Sequence, residues 1–390
     1  MKRQAAEIQI KGMESMHYLD HSATTFVLPQ AAKRAYTVMT EQFGNPSSVH
    51  TLGLEAEKIL RESRKTVAQA LGAAEREIYF TGGGSESINT AVRGLAEKYG
   101  KGRRHIISSE IEHAATLNTL KRLESQGYEV TLLKPDAAGN ISMADFRAAY
   151  REEETVLVSL MLVNNETGAL LPLAEIGAFL KRKPDTFFHI DGVQGFFRTP
   201  LRPAKLGADA MSLSGHKIGA PKGIGVLYLR DGVRIPPLIY GGGQERGMRG
   251  GTEALPNIAA LAEAVRYHQE NLETERKTVE ELRAYLEEEI TKRFPFAQFN
   301  GVSGVPHVLN VSLPGCKSEV MLRVLQDREV YVSAGSACAK GKQSHVLAAM
   351  GLSAQRIDSA LRISMAASNT QEDIDALLDG LEEGVQRLKR

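Results

Sequence analysis

Short apolar runs alternate along most of the chain with longer segments whose apolar residues recur at helical spacing. The runs rich in β-branched and aromatic residues are EIYF, RHIISS, YEVTLL, TVLVSLMLV, TFFHID, DAMSLS and GVLYL. Segments such as 87–100 and 113–127 separate most of these runs and have the periodicity of helices. Strands that alternate with helices are typical of a mostly parallel, doubly wound sheet, so the pattern predicts an α/β fold.

The pattern changes after the run GVLYL. A glycine-rich stretch, YGGGQERGMRGGT, leads into a long helical segment from about Pro256 to Arg293, and a smaller α+β pattern follows it. We therefore predict a large domain over residues 27–264. A smaller α+β domain is predicted to combine residues 1–26 with residues 265–390.

Polar clusters follow several of the predicted strands. They are TGGGSES (81–87), SSEIEHA (108–114), NNETG (164–168), DGVQ (191–194) and SGHKIGAPKGIG (214–225). In open α/β sheets, ligands bind outside the carboxyl ends of the strands. We therefore expect these clusters to meet at one edge of the sheet and to form a functional site, for which we expect no metal.

Composition narrows the class of protein. The chain has 390 residues, 42% hydrophobic and 24% charged, which is ordinary for a soluble globular protein. Its net charge of +1 does not favour nucleic acid as a partner. Two cysteines exclude a disulfide scaffold and fit a reducing cytosol. The N-terminus has no signal-peptide pattern, and no apolar run reaches the roughly 18–20 residues that a membrane span needs, so we expect a cytoplasmic protein without membrane contact.

The cluster TGGGSES places three glycines and a serine where a helix is predicted to begin. Backbone N–H groups at such a position bind anions, which would make Gly84 and Ser85 contacts for a phosphate. The alternative, an ordinary turn with Ser85 as the N-cap, is favoured when the cluster is taken alone. The fingerprints GxGxxG and GxxxxGK[ST] are absent, so a nicotinamide dinucleotide site loses its main support.

Lys217 lies directly after the run DAMSL, in SGHKIGAPKGIG. Most lysines lie on the surface, but a lysine at a strand end among small residues can lie in a cleft and form an imine. Ser214 and His216 flank it as candidate donors to a phosphate.

Asp191, Gln194 and His113 are the candidate polar residues of two further clusters. A buried carboxylate at the end of TFFHI needs a partner, and a protonated pyridine nitrogen suits it, whereas an isolated Asp-Gly is by default a helix N-cap. Gln194 is placed to donate to a phenolic oxygen. An isolated histidine at a helix start is more often a cap or core residue, but beside the other clusters the ring of His113 can stack on an aromatic cofactor and transfer protons.

Cys338 lies in SAGSACAKGKQ, among small and basic residues. Lys340 and Lys342 favour its thiolate form. A lone cysteine in a loop is usually inert, so this stretch alone leaves open whether Cys338 is a nucleophile. The other cysteine, Cys316, follows a predicted strand and a Pro-Gly turn, and we interpret it as structural.

The order of the motifs resembles that of a known family. YLDHSATT, FGNPSSVH, TGGGSES, EHAA, NNETG, HIDGVQ, SGHKIGAPKGIG, GGGQERGMRGGT, GSAC and LRIS occur as in the cysteine desulfurases, from about Tyr18 to the C-terminus. These are fold-type I pyridoxal-phosphate (PLP) enzymes of the class V aminotransferase group, and the resemblance is to their NifS/IscS branch. It implies that Lys217 forms a Schiff base with PLP, that Asp191 pairs with the pyridine nitrogen and that Gln194 contacts the phenolic oxygen.

The same resemblance implies a phosphate site and a homodimer. His113 would stack over the ring of PLP. The phosphate would be held at Gly84 and by Ser85, Ser214 and His216, helped by Thr252 from the neighbouring subunit.

The resemblance also implies the reaction. Asn165 and Arg362 would bind the carboxylate of L-cysteine, and Cys338 would take its sulfur as a persulfide while alanine is released. The persulfide would then pass to a sulfur-acceptor protein. HSATT replaces the more usual Asn- or Ala-bearing motif, Ser85 replaces a threonine, and the loop after Cys338 looks a little shorter than in relatives. The destination of the sulfur therefore stays open among iron–sulfur cluster assembly, tRNA thiolation and a cofactor pathway.

Two other functions remain as alternatives. A selenocysteine lyase or another transaminase-like enzyme of the same group would use the same cleft, although Cys338 argues against plain transamination. A cofactor-free sulfur carrier would have no use for Lys217, Asp191 and His113 together.

Overall fold

The computed structural model describes residues 16–302, 304–335 and 343–388. The strands are β1 (His17–Tyr18), β2 (Ile78–Thr81), β3 (His105–Ser109), β4 (Glu129–Leu133), β5 (Thr155–Met161), β6 (Phe187–Asp191), β7 (Ala210–Ser214), β8 (Gly225–Leu229), β9 (Gln298–Phe299), β10 (Val308–Ser312), β11 (Val330–Tyr331) and β12 (Ala360–Ser364). The helices are α1 (Pro29–Thr40), α2 (Thr51–Leu71), α3 (Gly84–Tyr99), α4 (Ala114–Glu124), α5 (Met143–Ala149), α6 (Leu173–Leu180), α7 (Pro203–Leu206), α8 (Leu255–Arg293), α9 (Ser318–Gln326), α10 (His345–Ala349), α11 (Ala354–Asp358) and α12 (Gln371–Leu388).

A seven-stranded sheet with the order β2-β8-β7-β6-β5-β3-β4 forms the centre of the molecule. Neighbouring strands from β7 to β4 are parallel, whereas β8 is antiparallel to both β7 and β2. The predicted α/β fold with a mostly parallel sheet is therefore confirmed. Parallel strands all end at the same edge, and this edge carries the polar clusters.

Helices cover both faces of this sheet. Every residue of β5, with the sequence TVLVSLM, is buried, as expected for a strand packed on both sides. Ile88 and Leu95 of α3 pack on one face, in one core cluster. Val67 of α2 and Phe146 of α5 pack in another, on the opposite face.

A second hydrophobic core lies in the C-terminal part of the chain. It is built around the antiparallel sheet β12-β10-β9, with α9, α12 and the C-terminal part of α8 packed against it. α8 has 39 residues and spans roughly 58 Å at 1.5 Å per residue. Its residues Ile258 and Val265 belong to the first core, and Leu286 and Ile290 belong to the second.

The first described residues pack with the C-terminal elements. β1 pairs in parallel with β11, and Leu19 belongs to the second core. The chain then crosses towards the large sheet, where Leu28 packs against the first core. The segment between Leu19 and Leu28 thus passes between the two cores, beside the edge where the parallel strands end.

Candidate active site

The carboxyl ends of the parallel strands border a cavity of about 250 Å³. The residues of the predicted site that line it are Gly84, Ser85, His113, Asn165, Asp191, Gln194, Ser214, His216, Lys217 and Arg362. These residues come from six separate stretches of chain. Five of the stretches are the polar clusters that the sequence pattern placed at the edge of the large sheet, and the sixth, with Arg362, comes from β12 of the other sheet.

Two predicted residues are not among those that line the cavity. Thr252 is exposed and lies in the glycine-rich stretch before α8, and its predicted role concerns a second copy of the chain. Cys338, together with Lys340 and Lys342, lies outside the described residues.

The amine of Lys217 lies at the cavity wall because of a tight turn after β7. Residues Gly215–Lys217 form one turn of 3₁₀ helix, from which the side chain reaches across to the N-terminal segment. Its Nζ donates to the carbonyl oxygens of Ser22 at 2.5 Å and Ala23 at 2.8 Å. The backbone of this segment therefore holds the amine in place within the cavity.

Asp191 is the last residue of β6 and is 5% exposed. Its Oδ1 accepts the backbone N–H of Val193 at 3.0 Å. Burial raises the pKa of Asp191, although the Val193 N–H and the charges of His113 and Lys217 act in the opposite direction. A cationic group, or one that shares a proton, would therefore bind favourably next to this buried carboxyl.

His113 both caps α4 and lines the cavity. Its Nδ1 accepts the backbone N–H of Ala115 at 3.1 Å, so the neutral ring carries its proton on Nε2. Burial lowers the pKa of His113, while the nearby Asp191 carboxyl opposes that shift. His113 is therefore both the N-cap of α4 and a residue of the cavity wall, so the two interpretations of this histidine do not exclude each other.

The start of α3 approaches the end of β7 closely. A Cβ on Gly84 would lie 3.0 Å from Val193 Cγ2 and 3.3 Å from Ser214 Cβ. Gly83 is the N-cap of α3, so the alternative in which Ser85 caps this helix is wrong. Ser85 instead lies in the first turn, where helical N–H groups are available to an anion.

His216 adds a neutral donor beside this helix start. Its Nδ1 lies 3.1 Å from the hydroxyl of Thr24. Burial, with Lys217 and Lys222, lowers the pKa of His216 to about 4, so the ring is uncharged at neutral pH.

Arg362 faces the cavity from β12 and is 1% exposed. Its Nη2 pairs with Asp20 Oδ1 at 2.7 Å, and its Nη1 donates to the carbonyl oxygen of Asn165 at 3.1 Å. Asp20 also accepts the hydroxyl of Ser333 at 2.8 Å. This pairing fixes the direction of a buried guanidinium that can bind a carboxylate bidentately.

Sequence reasoning missed three acidic residues around the cavity. Asp20 lies in the motif YLDHSATT, and Glu166 in NNETG, so both were marked only as parts of motifs. Glu112 directly precedes His113; its Oε1 accepts the Ser109 hydroxyl at 2.7 Å and the Met161 N–H at 3.0 Å. Burial raises the pKa of Glu112 to about 8. A carboxylate next to a predicted site histidine was the available signal.

Cys316 is 1% exposed and packs in the second core, as its structural interpretation predicted.

Within the described ranges, no group of three or more His, Cys, Asp or Glu side chains is arranged to hold a metal ion. The helices described here include none that is both long enough and apolar enough to cross a membrane.

Comparisons with known proteins show the family to which the chain belongs. The profile of the family described as aminotransferase class-V matches residues 17–377. A protein of Methanosarcina thermophila named cysteine desulfurase IscS is 41% identical over 376 residues, which cover 95% of this chain and 92% of that protein. A cysteine desulfurase IscS of Clostridium botulinum is 39% identical over 375 residues, or 95% of this chain and 94% of that protein.

Solved structures agree as well. The structure titled NIFS-like protein has a TM-score of 0.90 and 36% identity, over 95% of this chain and 99% of its own. A second one, SspA in complex with cysteine, has a TM-score of 0.79 and 35% identity, over 90% of this chain and 99% of its own. The chain therefore belongs to the class-V aminotransferase family and, within it, to the cysteine desulfurases of the NifS- and IscS-like branch.

Proposed function

We propose that the protein takes sulfur from L-cysteine, releases L-alanine and holds the sulfur as a persulfide on Cys338 for a sulfur-acceptor protein. One observation carries the proposal: Lys217, Asp191, His113 and Arg362 line a single cavity at the ends of the parallel strands. An amine, a buried carboxyl, a flat ring and a guanidinium within one cleft fit an amino-acid substrate and a pyridine cofactor.

The residues of the cavity fit PLP. Burial raises the pKa of Asp191 because its carboxylate has lost water. The protonated nitrogen of a pyridine ring would stabilise this carboxylate by forming an ion pair with it. Lys217 would bind the aldehyde carbon, His113 would stack on the ring and Gln194 would contact the phenolic oxygen. The phosphate would lie at the start of α3; its proposed contacts are Gly84, Ser85, Ser214, His216 and Thr252 of a second copy. When bound, PLP supplies an electron sink that makes the Cα proton of an amino acid acidic.

The protein's own residues orient the substrate and move its protons. Arg362 is held by Asp20 and by the Asn165 carbonyl, so its guanidinium is positioned before the carboxylate of L-cysteine arrives. The Lys217 amine and the Nε2 proton of neutral His113 are the groups placed to transfer protons. Cys338 would attack the sulfur of the substrate as a thiolate, forming the S–S bond of the persulfide as the C–S bond breaks.

The anchors of the segment that contains Cys338 support this assignment. On one side, Ser333 donates to Asp20, which pairs with Arg362. On the other side, Ser344 donates to Glu166 at 2.5 Å, directly after Asn165. Both ends of the segment are thus tied to neighbours of the proposed substrate carboxylate site.

A homodimer is part of the proposal. Large apolar side chains are exposed on α1, between α1 and α2, at the start of α2 and in the glycine-rich stretch: Tyr36, Met39, Phe43, Leu52, Leu54 and Tyr240. Contiguous exposed apolar side chains mark interaction surfaces, and we propose that these residues form one such surface. A second copy of the chain is the occupant we propose, because Thr252 is exposed in the same glycine-rich stretch as Tyr240.

The acceptor protein and the cell compartment are proposed from the chemistry of the persulfide. A persulfide must pass to another thiol or thiolate, and iron–sulfur cluster assembly, tRNA thiolation and a cofactor pathway would all use it. We propose a cytoplasmic location, since a chain with two cysteines fits a reducing compartment, where thiols stay free of disulfides. Capture of partners by the persulfide form, followed by mass spectrometry, distinguishes the destinations.

Product analysis tests the proposed reaction. Purified protein with PLP should produce alanine and, with a thiol reductant, sulfide from L-cysteine in equal amounts. Production of selenide from L-selenocysteine with little turnover of L-cysteine would favour the selenocysteine lyase. Failure to bind PLP would leave only the sulfur carrier.

A further inference from the structure

A second cavity, of about 410 Å³, lies between the two hydrophobic cores. Its walls are the segment 196–202, which follows the Gln194 turn, the middle of α8, and residues next to β10 and β12. It shares no lining residue with the cavity at Lys217. We refer to it as the seam cavity.

His307 is a buried polar residue in its wall. The side chain is 1% exposed, and neither ring nitrogen has a hydrogen-bond partner among the residues that the structure describes. Burial, reinforced by Arg198 and Arg283, lowers the pKa of His307 well below its ordinary value, so the ring is neutral. A neutral imidazole offers one N–H donor and one acceptor, and burying both without a partner is unfavourable.

Arg198 places a positive charge in the same wall. Among the described residues, its Nη1 and Nη2 contact the carbonyl oxygens of Met365 and Lys217, each at 3.4 Å, near the outer limit for a hydrogen bond. No carboxylate in the described parts of the chain forms an ion pair with it. Burial lowers the pKa of Arg198 to about 10, although the charge of Glu275 in the same cavity opposes this shift, so the guanidinium still carries its charge at neutral pH.

The other charged groups of the seam cavity already have partners or face solvent. Glu275 lies 2.7 Å from His268 Nδ1, and Arg276 pairs with Glu280 at 2.7 Å. Arg202 donates to the carbonyl oxygens of residues 69 and 70, at 3.1 and 3.0 Å. Glu275 acts on Arg198 through its charge but is hydrogen-bonded to His268, so the N–H groups of Arg198 are those to which a ligand anion can bind.

The rest of the wall is largely apolar. Phe196 and Leu201 belong to the first core, and Val279 belongs to the second. The ring of Phe197 stacks on His268 with centroids 5.1 Å apart. Phe197 also has a φ of 59°, which is uncommon for a bulky residue and is found where surrounding structure imposes it.

We propose that the seam cavity binds a small organic carboxylate with an apolar body, whose carboxylate contacts Arg198 and His307. A guanidinium and an imidazole N–H can donate hydrogen bonds to the carboxylate of the ligand, and the apolar wall can pack against its apolar body. Because Arg198 also reaches the backbone of Lys217, an occupant of this cavity contacts a residue that holds the main chain of the active-site lysine.

The test uses 4-methylpentanoate as the probe and the PLP-loaded protein, with calorimetry and ligand-observed NMR. We expect saturable binding to the wild type, and no comparable binding of the neutral 4-methylpentan-1-ol or of inorganic phosphate. Arg198→Gln should weaken binding about tenfold or more, because it removes a charge-assisted hydrogen bond. Arg202→Gln is the matched control at the same cavity and should change the affinity by about twofold at most.

A second variant covers the case in which Arg198→Gln does not fold. Leu272→Trp adds bulk to the cavity wall from α8 without removing a polar group, and should abolish binding. Arg362→Gln reports on the other carboxylate site and should leave this binding intact. Absence of probe binding, binding unchanged in Leu272→Trp, or binding lost only in Arg362→Gln would overturn the proposal.

Discussion

Lys217 depends on two backbone carbonyl oxygens, those of Ser22 and Ala23, for its position in the cavity. These oxygens belong to a segment 194 or more residues away in the chain. The amine is thus presented to the cavity by the tertiary fold, beside the buried carboxyl of Asp191. This arrangement leads to a test of the proposed cofactor bond.

Lys217→Ala should abolish covalent attachment of PLP. Borohydride reduction of the wild type with PLP should add the mass of one reduced cofactor to the peptide that contains Lys217. Lys222→Ala, a change of an exposed lysine in the same turn, is the control and should leave the adduct in place. A reducible adduct that persists in Lys217→Ala would show that another lysine binds PLP.

The two cysteines are expected to behave differently on substitution. Cys338→Ala should still bind PLP and L-cysteine, but its sulfide release should fall by several orders of magnitude, since no thiolate takes the sulfur. Cys316→Ala should keep its rate and lose about 1 kcal/mol of stability, because a small buried side chain is shortened. The measurement is alanine and sulfide production by both variants side by side. Normal sulfide release by Cys338→Ala would mean that the nucleophile lies elsewhere.

Glu112 should make stability depend on pH. Its pKa is about 8 in the folded protein and near 4.5 when exposed, so only the folded state holds the proton between these values. The free energy of unfolding should therefore fall as pH rises from about 4.5 to about 8, by up to ~1.4 kcal/mol per pH unit.

Glu112→Gln replaces the titrating carboxyl with an amide that does not titrate. The free energy of unfolding should then depend less on pH between about 4.5 and about 8. Urea unfolding at several pH values measures it, with Glu124→Gln, an exposed position in α4, as the control. A profile with the same slope in Glu112→Gln and in the wild type would contradict the assignment of the raised pKa.

At the scale of elements, a buried ion pair holds the glycine-rich stretch that precedes α8. Glu245 and Arg246 both have positive φ values, 47° and 56°, which are unfavourable for residues other than glycine. Glu245 accepts two hydrogen bonds from Arg64 of α2, at 2.7 and 2.8 Å, and one from the Phe80 N–H at 2.9 Å. These bonds attach the stretch that contains Thr252 to α2 and β2.

Arg64→Met should destabilise the protein by about 3–5 kcal/mol, because it leaves the Glu245 carboxylate buried without its cation. The double variant Arg64→Met with Glu245→Gln should recover part of this loss. Urea unfolding of the single and double variants measures both effects. If the single variant were as stable as the wild type, the ion pair would not be what holds the stretch.

At the scale of the whole molecule, α8 connects the two cores and the cavity at the sheet edge lies between them. The division into residues 27–264 and the remaining residues stays a prediction. The exposed apolar side chains of α1 and α2 make a second copy the proposed neighbour.

Phe43→Arg should convert the proposed dimer to a monomer, since Phe43 is 67% exposed and a charge there opposes apolar contact. Light scattering should give twice the chain mass for the wild type and the chain mass for the variant. The variant should also bind PLP more weakly, because it loses Thr252 of the partner. Val302→Arg, 65% exposed on another part of the surface, is the control. A wild-type monomer with full activity at nanomolar concentration would contradict the dimer.

Local sequence patterns were sufficient to predict the alternation of strands and helices, the polar clusters after the strands and the family resemblance carried by their order. Each of these features is visible in a short stretch of sequence. For example, β5 is predicted to be a buried strand because all of its residues are apolar or small. The identity of Lys217, Asp191 and His113 as candidates came from the same local source.

The pairing of groups and the effect of burial on their chemistry became visible in the folded protein. Asp20 and Arg362 are 342 residues apart in the chain, and no periodicity links them. The raised pKa of Glu112 depends on side chains brought in from other elements, and so does the burial of the His307 ring without a hydrogen-bond partner among the described residues. Burial and pairing depend on the residues that surround a group in space, whereas sequence patterns depend on residues that are close along the chain.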